Sequence, residues 1–167
     1  MDLYILRHAI AVERGTPGYK DDSLRPLTEK GMKKMRWIAE GMLSLDLSLD
    51  GILSSPFVRA RQTAEIVAEL FHEEKKLKFT PHLETGGDPK KLIEVINEQY
   101  DSDAAVMVVG HEPYLSGLVS MLVAGTGAMA LVLKKGGLCK LDVPVLHYGQ
   151  CATLQWLLAP AQLIRMA

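Results

Sequence analysis

The sequence predicts an α/β protein: a three-layer sandwich with a mostly parallel central sheet, helices on both faces and an antiparallel strand pair at the C-terminal end. Three observations carry that expectation. Short apolar runs alternate with longer segments whose apolar residues recur at helical spacing. The run Ala104-Ala105-Val106-Met107-Val108-Val109 is apolar throughout, the pattern of a parallel strand covered on both faces. Two helical segments follow a capping residue and a proline, Ser55-Pro56 and Asp88-Pro89, which is a helix-start signal.

Taken in order, Leu3-Tyr4-Ile5-Leu6 opens the chain as a strand. Residues 9–27 are polar and irregular, with Gly15, Pro17, Gly18, Asp21, Asp22 and Pro26, and read as a long surface loop. Such loops inside compact domains are commonly functional. Thr28 is an N-cap candidate for a helix with Met32, Met35, Ile38, Ala39, Met42 and Leu43 on one face, and with Lys33, Lys34, Arg36 and Glu40 mostly between them. The methionines read as core filler. Gly51-Ile52-Leu53-Ser54 is a short buried strand, and the helix from Ser55-Pro56 carries Ala60, Ala64, Val67, Ala68 and Phe71 on its apolar face. Leu77 to Thr80 is a third strand, and the helix after Asp88-Pro89 presents Leu92, Ile93, Ile96 and Tyr100. Beyond the apolar strand at 104–109, Pro113 opens a helix faced by Leu115, Leu118, Val119, Leu122 and Val123. A glycine-containing loop over 125–137 leads to Leu138–Val143 and Thr153–Leu158, the antiparallel pair. Gly125-Thr126-Gly127-Ala128-Met129-Ala130 matches a dinucleotide-binding pattern by letters. It follows a helix rather than a strand, so it reads as loop. With 167 residues, no repeat and no linker, the whole chain, 1–167, is expected to be one domain.

Composition narrows the function. Hydrophobic residues make up 48% and charged residues 23%, and 19 basic against 20 acidic side chains leave a net charge of −1. That is globular composition without the basic footprint of a nucleic-acid binder. No apolar run approaches the ~18 residues of a membrane span, and the first residues lack the basic region of a signal peptide. Cys139 and Cys151 stand alone, with no CxxC spacing. They are expected to be reduced thiols of a cytoplasmic protein rather than a disulfide or a metal pair.

In open α/β sheets, ligands bind outside the carboxyl ends of the strands. Arg7 and His8 follow the first strand. Ser54, Ser55 and, a helical turn on, Arg59 follow the second, and Gly110, His111 and Glu112 follow the fourth. Two arginines and two histidines therefore converge on one rim. Guanidinium groups match phosphate oxygens bidentately, and a helix start at Ser55-Pro56 adds free backbone N–H groups and a positive dipole end. Neighbouring arginines disfavour protonation of a histidine, and a neutral imidazole is a nucleophile able to carry a covalent intermediate. The chemistry that fits is phosphoryl transfer onto a histidine followed by hydrolysis, resting on positioning and charge stabilisation. His72, His82 and His147 have no such company and read as surface or structural. A metal site built on His8, His111 and a carboxylate is disfavoured by the adjacent arginines and by the lack of His-x-x-x-His spacing. No metal or cofactor is expected.

The same residues resemble a known family. Leu6-Arg7-His8-Ala9 is similar to the Arg-His-Gly signature of the histidine phosphatase (phosphoglycerate mutase-like) superfamily. Ser54-Ser55-Pro56-Phe57-Val58-Arg59-Ala60-Arg61-Gln62-Thr63-Ala64 resembles its Ser-Pro-x-x-Arg-Ala-x-Gln-Thr block, and Val109-Gly110-His111-Glu112-Pro113 its Gly-His-x-Pro block. Arg25-Pro26-Leu27-Thr28-x-x-Gly31, Gly87-Asp88 and the terminal Leu154–Pro160 segment resemble the SixA-type phosphohistidine phosphatases within it. The resemblance implies that His8 accepts the phosphoryl group and that Arg7, Arg59 and His111 bind it; Ser55, at the same rim, is a further phosphate-binding candidate. Ala9 stands where glycine is commoner. Larger relatives place a glutamate after the third strand; Glu84 and Asp88 are both near that place, Asp88 has a competing role as a helix N-cap, and Glu84 is the candidate acid. The chain has no room for the cap insertions of larger members, so an open site could take a phosphorylated protein side chain, for example in a histidine-phosphotransfer domain. The alternatives are a small-molecule phosphomonoesterase of the same fold and a non-catalytic module that binds a phospho-ligand. No nucleic acid or membrane partner is expected.

Overall fold

The computed structural model describes residues 1–167. Six strands form one sheet: β1 (Asp2–Arg7), β2 (Gly51–Ser54), β3 (Leu77–Phe79), β4 (Ala105–Gly110), β5 (Leu138–Asp142) and β6 (Thr153–Leu158). Their order across the sheet is β3-β2-β4-β1-β5-β6. The first four are mutually parallel where they pair, while β5 runs antiparallel to β1 and β6 antiparallel to β5. The predicted architecture is thus the observed one.

Strand alternation sorts the side chains into two cores, one on each face of the sheet. Tyr4, Leu6, Ile52, Met107, Val109 and Leu138 point to one face. There they pack against α1 (Glu29–Leu43), α2 (Val58–Phe71) and α5 (Pro160–Ile164). Leu3, Ile5, Leu53, Val106, Val108, Cys139 and Leu141 point to the other, under α3 (Pro89–Gln99) and α4 (Tyr114–Ala124). Along α1, Met35, Ile38, Ala39 and Met42 are buried, but Met32 and Leu43, expected on the same stripe, lie at its margin and are exposed. Both cysteines are free thiols; Cys139 is buried in β5 and Cys151 is partly buried.

The helix starts differ. Thr28 caps α1 as expected, its hydroxyl accepting from the Gly31 N–H at 2.9 Å. Asp88 caps α3, accepting from the Lys90 and Lys91 N–H groups. The expectation that Ser55-Pro56 starts the second helix is corrected: α2 begins at Val58, after Phe57, and has no side-chain cap. The Ser55 hydroxyl is engaged elsewhere, accepting from the Phe57 N–H and bonding to His111. At the other end of α2, His72 closes the helix in the left-handed conformation, φ 56°, its N–H reaching the Ala68 and Glu69 carbonyls. Helix α5 was not expected; five residues are too few to show a period, and Ala159-Pro160 is its one signal.

Topology positions the site. The chain leaves β1 through α1 on one face, reaches β2 two places away, goes outward to β3, and returns to lay β4 between β2 and β1. From β4 it leaves through α4 on the opposite face. The connections after β1 and β4 therefore diverge, opening a crevice at the carboxyl ends of two neighbouring parallel strands. No helix is long and apolar enough to cross a membrane.

Candidate active site

Register brings the three key positions to one level. Arg7 pairs with Gly110, and Ser54 with Val109. His8, Ser55 and His111 are thus each the first residue past a strand end. Two further bonds extend the ladder to them: the His8 N–H donates to Gly110 O at 3.0 Å and the Ser55 N–H to Val109 O at 2.9 Å. The His8 and His111 rings lie 5.1 Å apart between centroids, and His111 is the same distance from the Phe57 ring.

The state of His8 follows from its partners. Its Nδ1 lies 2.7 Å from the Ala9 carbonyl oxygen, which can only accept, so Nδ1 carries the ring proton. Nε2 then holds a lone pair, and the Arg59 Nε–H donates to it at 3.3 Å. Burial, with the charges of His111, Arg59 and Arg7, lowers the His8 pKa to about 3 despite the Ala9 hydrogen bond. Burial and the Arg59 charge likewise bring His111 down to about 3. Both imidazoles are neutral at physiological pH. Ala9, where glycine is commoner, is buried, is not among the residues of positive φ, and donates its N–H to Thr63 Oγ1 at 3.0 Å.

Around this pair stand the cationic groups. Arg59 is 2% exposed and reaches back from the first turn of α2. Arg7 donates from Nη1 to the Leu133 carbonyl at 2.9 Å. Ser55 Oγ and His111 Nε2 are 2.8 Å apart. Two of the four buried polar side-chain atoms without a partner in the protein belong here, Arg7 Nε and His111 Nδ1. Unsatisfied polar atoms in such a cluster suit an anion-binding cleft. No group of three or more His, Cys, Asp or Glu side chains is placed to hold a metal ion.

The acid candidates separate in environment. Glu84 is half-buried and ends the 3-10 turn Pro81–Leu83. The Leu83 carbonyl packs against Gly110 at the end of β4, which brings this segment to the rim. Asp88 is exposed, and its carboxylate is engaged in capping α3.

Sequence reasoning missed Asp22. Its carboxylate and carbonyl hold the far edge of Arg59, and Arg25 and Arg14 bind the same carboxylate. Burial alone would raise its pKa, but the hydrogen bond from Arg25 and the charges of Arg59 and Arg25 bring it to about 2. Gln62 and Thr63 prove to be positioning groups. Gln62 Oε1 accepts from the Leu27 N–H at 2.7 Å, and Thr63 Oγ1 joins Ala9 to the Arg59 carbonyl.

Comparison with known proteins gives the family. Residues 3–84 match the histidine phosphatase superfamily (branch 1). The chain is 30% identical over 134 residues to the phosphohistidine phosphatase SixA homolog of Haemophilus influenzae, covering 73% of this chain and 77% of that one. It is 29% identical over 126 residues to the phosphohistidine phosphatase SixA of Escherichia coli, covering 75% and 76%. The solved structure of the protein histidine phosphatase SixA complexed with tungstate superposes with a TM-score of 0.77 at 28% identity, over 98% of this chain and 99% of that chain. A rim that carries two neutral histidines and two arginines at the carboxyl ends of parallel strands, in a chain with these relatives, belongs to the histidine phosphatase superfamily, as a SixA-like phosphatase.

Proposed function

We propose that this phosphatase removes the phosphoryl group from a phosphohistidine side chain of another protein, without a metal, using His8 as the transient acceptor. The observation that carries the reading is the His8 Nδ1–H bond to Ala9, which leaves Nε2 unprotonated beside Arg59. The Nε2 lone pair attacks phosphorus, and the bond from phosphorus to the substrate imidazole breaks with its electron pair going to that ring. Water then attacks phosphorus, the bond to Nε2 breaks with its electron pair returning to that nitrogen, and the inorganic phosphate leaves carrying the water's protons. Arg7, Arg59, His111 and the Ser55 hydroxyl take the charge of the phosphoryl oxygens, so that stabilisation is electrostatic and preorganised. The arginines fill the role a divalent cation would otherwise serve. The relatives named phosphohistidine phosphatase support the substrate class, and tungstate, a tetrahedral oxyanion, bound in the solved protein histidine phosphatase SixA supports the anion site.

The reading includes one catalytic domain over 1–167 without an inserted cap, acting in the cytoplasm, where its two thiols stay reduced. Its acid is Glu84 rather than Asp88, whose carboxylate is engaged in capping α3. An alkoxide leaving group needs such an acid, worth roughly 10²–10⁴-fold, far more than an imidazole does.

The test measures kcat/KM for a phosphohistidine protein, an alkyl phosphomonoester and an aryl phosphate, with EDTA present. Wild type should favour the phosphohistidine protein. Glu84→Gln should slow the alkyl ester markedly and phosphohistidine only weakly. His8→Ala should abolish turnover and the acid-labile phosphoenzyme. Preference for the alkyl ester would move the small-molecule reading ahead, and comparable turnover by His8→Ala would remove His8 as acceptor.

A further inference from the structure

The Arg59 guanidinium has two edges that can grip an anion. Its end, Nη1 and Nη2, is already occupied: Nη1 donates to the Asp22 carbonyl at 2.6 Å and Nη2 to Asp22 Oδ2 at 2.9 Å. Its side, formed by Nε–H and the second Nη2 hydrogen, faces His8, where Nε lies 3.3 Å from Nε2. The Phe57 ring packs on the guanidinium at 5.3 Å, and the group is buried, so it cannot exchange one edge for the other without displacing Asp22. Asp22 is itself held. Oδ1 accepts from Arg25 Nε at 3.0 Å and from Arg14 Nε at 3.1 Å, and Arg25 Nη2 lies 2.9 Å away. One carboxylate thus faces three arginines, so the cluster around it carries an excess of positive charge.

We propose that Asp22 is a positioning residue for phosphoryl transfer: by occupying the end of Arg59 it presents the side edge, Nε–H and Nη2–H in parallel, to a phosphoryl group on His8 Nε2. This rests on His8 being the acceptor. Its charge has a second effect. Without it, three arginines would hold any phosphate dianion more tightly in every state, including the released product, and binding that is uniform across states does not raise kcat. Asp22 therefore keeps the geometry that the transition state needs while weakening the grip on the ground state.

The experiment compares the full-length wild-type chain with Asp22→Ala and Asp22→Asn. It measures kcat and KM on an aryl phosphate, affinity for inorganic phosphate by calorimetry, and the Arg59 Nε–H resonance by NMR. Misplacing a clamp by about 1 Å can cost ~10²-fold. Asp22→Ala should lower kcat by that order while binding phosphate more tightly, with the Arg59 Nε–H signal broadened or lost. Asp22→Asn, unlike Asp22→Ala, keeps one side-chain oxygen that can accept from Arg59, so it should lose less kcat yet show the same tightening. Unchanged kcat in Asp22→Ala overturns the proposal. So does weaker phosphate binding in both variants, the mark of a loop that merely unfolds. If the wild type turns over neither the aryl phosphate nor a phosphohistidine protein, the proposed function fails, while phosphate affinity and the Arg59 resonance still report on the bracing.

Discussion

Arg59 and Arg61 sit two positions apart on one helix, about 200° around its axis, and live in different surroundings. Arg59 is 2% exposed against His8, whereas the Arg61 side chain is 47% exposed and stands 3.6 Å from Glu65 one turn on. Arg59→Ala should cost about 2–4 kcal/mol of transition-state stabilisation, by analogy with losing an oxyanion donor. Arg61→Ala should change kcat/KM little, since exposed pairs contribute about 0–1 kcal/mol even to stability. Equal effects in a side-by-side assay would contradict the clamp. The histidines give a second prediction. His8 and His111 are held at about 3 in the folded chain, while an unfolded histidine titrates near 6.5. Between those values the unfolded state binds more protons, so stability is full above about pH 6.5 and falls as pH drops toward 3. Each group contributes a slope of up to about 1.4 kcal/mol per pH unit. Asp22 acts only lower, since its contribution is lost as pH falls below the ordinary carboxylate range toward 2. Melting temperatures between pH 6.5 and 4.5 should decline less steeply in His8→Ala than in wild type; parallel declines would mean that His8 is not held neutral. His8, Arg7 and His111 could be found from sequence because each stands at or just past a strand end, and Arg59 because it lies a turn beyond. Asp22 could not, because its contact with Arg59 spans 37 residues and arises from a loop without periodicity.

Among the elements, the start of α1 is tightly constrained. Thr28 takes the Gly31 N–H and donates its own N–H to the Ile10 carbonyl, and that carbonyl lies where a Cβ on Gly31 would be. Only glycine lets the segment leaving His8 lie this close to the helix. Gly31→Ala should therefore cost about 1–3 kcal/mol through overpacking, and should also lower kcat, because Ile10 is two residues from His8. Urea midpoints and single-turnover rates check both; a stability loss with an unchanged rate would detach the helix start from the site. Thr28 was legible as a cap and Gly31 as part of the family resemblance, but the closeness of Gly31 to Ile10 was not. The Ser55-Pro56 signal misled for a related reason: local capping chemistry yielded to a tertiary partner, His111. Where an element carried a strong local pattern, the cap and apolar stripe of α1 and α3 or the unbroken apolar run of β4, sequence and structure agree to within a residue.

For the molecule as a whole, the covering of both sheet faces was legible from the unbroken apolar run at 104–109 and from strands succeeding helices along the chain. The strand order was not, because nothing local says that β4 inserts between β2 and β1. That insertion has a consequence for motion. The amides of His8 and Ser55 are bonded to the carbonyls that end β4, as a continuation of its ladder. Proteins open in cooperative units whose free energies range from near zero to the global value. Hydrogen exchange at His8 and Ser55 should thus be as slow as in the middle of β1 and β4, requiring the whole sheet to separate. Thr16 and Tyr19, bonded only within their own loop to Glu13 and Thr16, should exchange orders of magnitude sooner. Comparable protection in the two places would show that sheet and loop open together. The reacting atoms thus belong to the last part of the protein to melt, and the 13–19 stretch of the loop before Asp22 to one of the first, so mild denaturation should loosen the rim of the site while the histidine pair is still in place.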